Sequence, residues 1–145
     1  MENIQKQLEL INQQIKELAS IYKLSLVKFN ISENEFWIWY ALIIMNEECT
    51  QQDIVNNWFI SKQTVNTIIK NLVKNNYITL KTMPNNHNKK IICLTKKGRD
   101  YGEKIVLPMS SMELKSFGKL TLEDRKKLIE IMIKYIQILK DEAQN

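Results

Sequence analysis

Residues 50–74 read TQQDIVNNWFISKQTVNTIIKNLVK, and the segment NNYITL follows them directly. Two short runs with helical spacing of apolar side chains are separated by Phe59 and Ile60. Each run begins with a hydroxyl side chain of the type that caps helices, Thr50 in the first and Ser61 in the second. The pattern predicts two short helices joined by a tight turn, and then a β-strand.

The second predicted helix, which runs from Ser61 to about Asn75, has two chemically different faces. A helix that exposes amides, hydroxyls and lysines directly after a partner helix has what is needed to contact base edges in the major groove of DNA. The pattern therefore favours a DNA-binding helix-turn-helix. The apolar face consists of Val65, Ile68, Ile69 and Leu72, and the opposite face carries Lys62, Gln63, Asn66, Thr67, Lys70 and Asn71.

The flanking segments complete a mostly helical chain. Residues 3–28 place apolar side chains at alternating steps of four and three, which predicts a long helix that packs against another helix. Residues of about 33 to 46 are apolar on nearly all sides and predict the central core helix. Strand-like segments at 77–82 and 90–94 enclose a polar turn and predict a β-hairpin. Two further helices follow, and Pro108 is expected to kink or divide the first of them.

Composition and charge narrow the class of protein. A chain of 145 residues with 3 Gly and 2 Pro fits a single, mostly helical domain. The net charge of +5 permits an anionic partner without requiring one. No segment resembles a signal peptide or is long enough to span a bilayer, and two cysteines are too few for a secreted disulfide scaffold. We therefore expect a cytoplasmic protein with reduced thiols and no membrane partner.

Three motifs, in this order, resemble the MarR family of bacterial winged-helix regulators. They are ISKQTV at residues 60–65, NYI at 76–78 and LTKKGR at 94–99, and the resemblance spans about residues 30 to 105. It implies a mainly α fold with a small β-hairpin wing, in which terminal helices mediate dimerisation. The implied organisation is a single domain over residues 1–145, with a winged helix-turn-helix core at about 30–100 and dimerisation helices at about 1–28 and 100–145.

Two positions depart from the family pattern. The family often has Gly at the turn between the two helices, where this chain has Phe59. Because a positive φ is costly for Phe, we expect the turn to adopt another geometry. The family's wing tip often reads Asp-x-Arg, and here the matching residues 86–88 are Asn-His-Asn. We therefore expect Lys89 or Lys90 to contact phosphates in place of an arginine in the minor groove.

The resemblance implies a sequence-specific, homodimeric transcriptional regulator and not an enzyme. It would bind double-stranded DNA at a near-palindromic operator, act as a repressor and be released by a small-molecule effector. The alternative is a winged-helix protein–protein interaction module without specific DNA binding. The missing wing arginine and the modest net charge support this alternative. The residues predicted to contact DNA bases are Gln63, Asn66 and Thr67. The residues predicted to contact the DNA backbone are Ser61, Lys62, Thr64, Lys70, Lys89 and Lys90.

Other side chains suggest regulatory sites. Trp37, Trp39, Tyr40 and Trp58 are candidates for an effector pocket that takes a small aromatic ligand, and plain core packing is the alternative. Cys49 precedes a predicted helix N-terminus, which can lower a thiol pKa and leaves a redox-sensing role open. His87 is the only histidine, so a His-rich zinc site is excluded. We expect no metal, no cofactor and no catalytic residues, since the sequence has no phosphate-binding loop or nucleophile motif.

Overall fold

The computed structural model describes residues 3–45 and 48–145. The predicted mainly α fold with a β-hairpin is confirmed. The predicted end of the second helix at about residue 46 lies outside the described residues. The helices are α1 (Ile4–Leu26), α2 (Glu33–Ile44), α3 (Gln51–Trp58), α4 (Lys62–Lys74), α5 (Lys96–Gly118) and α6 (Leu122–Ala143), and the strands are β1 (Cys49–Thr50), β2 (Ile78–Met83) and β3 (Asn86–Leu94).

The chain divides into two compact units, of which the first ends at Leu107 and the second comprises Pro108–Asn145. Helix α2 supplies the centre of the first unit, because Phe36, Ile38 and Trp39 are completely buried. The prediction of a central core helix is therefore confirmed. None of the helices in the described part of the chain is long and apolar enough to span a membrane.

The second unit contains the C-terminal half of α5, a short turn and α6. The Thr121 hydroxyl caps α6 by accepting a hydrogen bond from the Asp124 backbone N–H at 3.1 Å. The Arg125 guanidinium donates to the carbonyl of Leu120 at 2.7 Å and closes the turn. Of the two predicted effects of Pro108, a kink or a division of the preceding helix, the division is wrong, since α5 continues through this residue. A proline costs the helix one backbone hydrogen bond and does not have to end it.

The three strands form one antiparallel sheet in the order β1-β3-β2. Strand β1 is not visible as a sequence pattern, because two residues are too few to show the alternation of a strand. Its register places Cys49 opposite Ile92. In the hairpin, Ile78 pairs with Leu94 and Leu80 pairs with Ile92, so the two predicted apolar faces lie on the same side of the sheet.

The polar turn that the sequence predicts between the two strands, at residues 84–88, is too long. Strand β3 begins at Asn86, which leaves only Pro84 and Asn85 as the turn. The fixed φ of proline suits the first central position of a tight turn. Beyond the turn, Met83 pairs with Asn86 but Thr82 pairs with Lys90, so residues 87–89 form a bulge in β3. The polar residues that suggested a long loop therefore belong to an irregular strand.

The turn between α3 and α4 also contradicts the prediction. Phe59 adopts the left-handed conformation, with φ 55° and ψ 36°, and its N–H donates to the carbonyl of Val55 at 3.1 Å. The next residue, Ile60, is buried, whereas Phe59 is 81% exposed. The chain must reverse direction here to bury Ile60 and place Ser61 at the start of α4. The geometry that glycine provides in the family is therefore retained with a phenylalanine.

Replacing Phe59 by Gly is expected to raise the free energy of unfolding by about 1 kcal/mol, because a left-handed residue with a Cβ costs roughly 1–2 kcal/mol and glycine avoids most of this cost. Urea denaturation followed by circular dichroism measures the change. Phe59→Ala is the control, since it removes the exposed ring but keeps the strained Cβ. An equal stabilisation by both variants would show that the ring, and not the backbone, is responsible.

Candidate nucleic-acid interface

Helices α3 and α4 each begin at a side-chain cap. The Thr50 hydroxyl accepts from the Asp53 N–H at 3.1 Å, and the Asp53 carboxylate accepts from the Thr50 N–H at 2.9 Å. The Ser61 hydroxyl accepts from the Thr64 N–H at 3.1 Å and donates to the Thr64 hydroxyl at 2.8 Å. The two caps fix where α3 and α4 begin. At the start of α4, the other N–H groups of the first turn face outward.

The two faces of α4 are those that the sequence predicts. Val65, Ile69 and Leu72 are buried, and Ile68 is half-buried. At about 100° per residue, the opposite side of the helix is centred on four exposed side chains. They are Gln63, Asn66, Thr67 and Lys70.

The structure brings the three predicted base-contacting residues together on this exposed face. The Thr67 hydroxyl donates to the carbonyl of Gln63 at 2.9 Å, so it offers an acceptor and a methyl group outward. The amides of Gln63 and Asn66 carry both donors and acceptors. Lys70, for which the sequence predicts a contact with the DNA backbone, lies between these residues on the same face of α4.

The other residues that are predicted to contact the DNA backbone lie in two places. Ser61, Lys62 and Thr64 form the first turn of α4, where Ser61 and Lys62 are exposed and Thr64 is half-buried. Lys89 and Lys90 are exposed on the wing, with Lys89 in the bulge of β3. The structure therefore provides two separate cationic positions, one at the recognition helix and one at the wing.

The cationic side chains are concentrated in one part of the sequence, which the net charge of the whole chain does not show. Residues 54–99 contain nine Lys and Arg and no Asp or Glu. The rest of the chain then has twelve cationic and sixteen acidic side chains, so its net charge is −4. From Ile54 to Arg99, which covers α3 after its first turn, α4 and the wing, the chain is thus free of carboxylate side chains. A long stretch of one sign with no opposing charge is typical of a surface that binds a polyanion.

The four predicted pocket residues separate into two groups. The rings of Trp37 and Trp58 stack at 5.4 Å, and Tyr40 contacts both at 5.4 Å in edge-to-face geometry. The indole N–H of Trp58 is buried and has no hydrogen-bond partner among the described residues. A buried unsatisfied donor costs free energy unless something else accepts from it.

Trp39 lies in the other group, with Tyr77 at 5.7 Å and Tyr101 at 5.4 Å. Its indole N–H donates to the Glu35 carboxylate at 3.1 Å. Burial raises the pKa of Glu35, and the hydrogen bond from Trp39 opposes that shift. Trp39 is completely buried and has a partner, so its position is that of a core residue.

The thiol of Cys49 lacks the environment of a redox sensor. Burial raises its pKa to about 11, and the negative charge of Asp53 adds to the shift. The lowering of the pKa that a helix N-terminus can produce is therefore not realised at Cys49, because desolvation and the capping carboxylate both raise the pKa. A thiol with this pKa stays protonated at neutral pH. Within the described residues, no group of three or more His, Cys, Asp or Glu could hold a metal ion.

An exposed polar helix preceded by a partner helix and followed by a two-stranded wing defines the winged helix-turn-helix class of proteins. Residues 30–87 match the model of the MarR family. This region of the chain is therefore similar to the MarR family. The motifs at residues 60–65 and 76–78 lie inside the matched region, and the motif at residues 94–99 lies beyond its end. No curated protein sequence matches the chain.

Solved structures with the same fold cover nearly the whole chain. The MarR family regulator NMB1585 from Neisseria meningitidis is 21% identical, covers 95% of this chain and 96% of its own, and has a TM-score of 0.79. A MarR family transcriptional regulator from Listeria monocytogenes, complexed with a 26mer DNA, is 22% identical over 98% and 92%, with a TM-score of 0.70. BpsR from Bordetella bronchiseptica, whose DNA binding is regulated by 6-hydroxynicotinic acid, is 19% identical over 92% and 93%, with a TM-score of 0.68.

Proposed function

We propose that the chain is a homodimeric transcriptional repressor that binds a near-palindromic operator in double-stranded DNA and is released by a small aromatic effector. The observation that carries the proposal is the carboxylate-free stretch at residues 54–99, which contains α3 after its first turn, the whole of α4 and the wing. Its cations would neutralise phosphates, and the amides of α4 would contact base edges. The Listeria regulator with the same fold is solved on DNA, which supports this assignment.

Amide side chains on α4 would read the sequence. Asn and Gln can each form a bidentate pair with N6 and N7 of adenine. Gln63 and Asn66 are exposed and lie one helical turn apart on the face opposite the buried side of α4. Lys62, one position before Gln63, would contact a phosphate without specifying a base.

Replacing Asn66 by Ala is expected to weaken binding to the operator by about 1–3 kcal/mol while leaving affinity for random DNA unchanged, because a bidentate base contact is lost. Operator sequences are first selected from random DNA, and competition gel shifts then compare the two affinities. Gln63→Ala should behave in the same way. Lys62→Met should instead weaken binding to both DNAs and reduce the salt dependence by about one counterion.

Asn71→Ala is the matched control, since the same amide is removed from the same helix outside the predicted base contacts. Its affinity should stay within about twofold of the wild-type value. If the wild-type chain binds selected and random DNA equally well, it is not a sequence-specific regulator. A stable protein partner without a DNA shift would support the protein–protein interaction module instead.

Exposed apolar side chains support the dimer. On α6, ten large apolar side chains are between 42% and 66% exposed and cover roughly 220° of the helix circumference at 100° per residue. On α1, Ile4, Leu8, Ile11, Ile15 and Leu18 are also exposed, with Ile4 at 79%. A monomer rarely leaves so much apolar surface in water. A symmetric dimer through these helices would present two α4 helices to successive major grooves, which requires a near-palindromic operator.

The stacked group of Trp37, Tyr40 and Trp58 is the proposed effector contact. The unsatisfied N–H of Trp58 would donate to an acceptor on the ligand, and the rings would stack on its aromatic part. With benzoate as the probe, we expect tryptophan fluorescence of the wild type to titrate and Trp58→Phe to bind about tenfold more weakly or less. Trp39→Phe, in the buried group, is the control. Equal titration of the wild type and Trp58→Phe would contradict this site.

A further inference from the structure

The C-terminal end of α4 is closed by backbone hydrogen bonds that turn the next carbonyl groups outward. Asn76 is left-handed, with φ 63°. Its N–H donates to the carbonyl of Val73 at 3.0 Å, and the N–H of Tyr77 donates to the carbonyl of Leu72 at 2.9 Å. These two bonds form a Schellman motif, which ends the helix and leaves the carbonyls of residues 75–77 without partners inside α4.

The first turn of α5 and the residue before it bind all three carbonyls. The ammonium of Lys97 donates to the carbonyl of Asn75 at 2.8 Å. The hydroxyl of Thr95 donates to the carbonyl of Asn76 at 2.7 Å, and the N–H of Thr95 donates to the carbonyl of Tyr77 at 3.1 Å. The end of the recognition helix is therefore attached to α5 at three successive residues.

Lys97 makes a second contact at the same place. Its ammonium lies 4.6 Å from the centroid of the Tyr77 ring, and that ring stacks on Tyr101, one turn further along α5, at 4.7 Å. A cation at the C-terminus of a helix also interacts favourably with the helix dipole. Thr95 acts partly through the backbone, whereas Lys97 acts only through its exposed side chain. Lys97 can therefore be altered without removing the structural contacts beside it.

We propose that Lys97 is a positioning residue for DNA recognition, which holds the end of α4 against α5 through the Asn75 carbonyl and the Tyr77 ring and does not contact a phosphate. The proposal rests on the proposed function, because it assigns the attachment that orients Gln63, Asn66 and Thr67. A helix fixed at its start by the Ser61 cap and at its end by Thr95 and Lys97 presents its side chains at one angle to the groove. Loss of one attachment would widen the range of angles and weaken specific binding.

Lys97→Met tests this role, because methionine keeps the length of the side chain but can neither donate nor carry charge. We expect specific operator affinity to fall about tenfold, which corresponds to the loss of one charge-assisted hydrogen bond. The slope of log affinity against log salt should stay unchanged, whereas loss of a phosphate contact would reduce it by about 0.9. Lys97→Arg, which can donate to the same carbonyl and stack on Tyr77, should restore affinity.

Two controls separate the possible outcomes. Lys96→Met removes the neighbouring exposed lysine and should leave the operator affinity within about twofold of the wild-type value. Amide hydrogen exchange should become faster at Asn76 and Tyr77 in Lys97→Met and remain unchanged in the core of the first unit. A reduced salt slope, or unchanged exchange with unchanged affinity, would overturn the positioning role. If the wild type does not distinguish operator from random DNA, the proposed function fails first, and the role of Lys97 fails with it.

Discussion

Replacing Gly98 by Ala is expected to lower the free energy of unfolding by at least about 3 kcal/mol, which is at the upper end of single-residue effects. A Cβ at this position would overlap the carbonyl oxygen of Tyr77, with the carbonyl carbon only 2.7 Å away. These are backbone atoms, and the carbonyl is also the acceptor for the N–H of Thr95 at 3.1 Å. The clash therefore cannot be relieved by a side-chain rotation. Urea denaturation followed by circular dichroism measures the change.

The other two glycines provide graded controls. A Cβ on Gly102 would meet side-chain atoms of Trp39 at 2.7 Å and Ile43 at 2.9 Å, so Gly102→Ala should cost about 1–3 kcal/mol as the core adjusts. A Cβ on Gly118 would meet nothing within 4 Å. Gly118→Ala should therefore be neutral or stabilise the chain by up to about 1 kcal/mol. Similar effects of all three substitutions would show that close approach at Gly98 is not the cause.

Replacing Met132 by Glu is expected to raise the dissociation constant of the proposed dimer by about 100-fold or more, because a carboxylate would be buried without a partner. Met132 is 53% exposed in the single chain and lies near the centre of the apolar arc of α6. Sedimentation velocity over a concentration series measures the change. Operator affinity should fall with it, because a monomer presents only one α4 to the DNA.

Gln137→Glu is the control for this substitution, since it introduces a carboxylate on the polar side of the same helix. Its amide donates to the Asp141 carboxylate at 3.0 Å, and losing an exposed pair of this kind costs only about 0.5 kcal/mol. The dimer should therefore persist in Gln137→Glu. Dissociation of both variants to the same extent would point to overall charge, and a persistent dimer in Met132→Glu would place the interface elsewhere.

Local sequence patterns predicted most of the helix-turn-helix. The caps at Thr50 and Ser61 and the buried face of α4 depend on residues a few positions apart, so spacing alone indicates them. The same local reasoning was wrong for the wing, where a polar run that resembled a loop extends as a bulged strand from Asn86. Pairing with β2 decides that outcome, and it involves residues that no local pattern connects.

Phe59 and Cys49 show why tertiary structure can overrule a local preference. The intrinsic cost of a left-handed Phe59 is about 1–2 kcal/mol, and burial of Ile60 beside it offsets a comparable amount. At Cys49, the helix N-terminus would lower the thiol pKa, but burial and Asp53 raise it to about 11. In both cases the residue type was visible in the sequence, and the surrounding atoms that set the outcome were not.

The sequence by itself determined that this protein has a helix-turn-helix whose second helix exposes amides and lysines, because helical spacing and capping are local properties. Only the tertiary structure separated Trp39 from the stacked group of Trp37, Tyr40 and Trp58, since neighbours on one helix point to different sides. It also brought Lys97 to the end of α4, twenty-two residues after Asn75 in the chain. Contacts between distant residues depend on how the helices and strands pack, which their spacing along the chain does not specify.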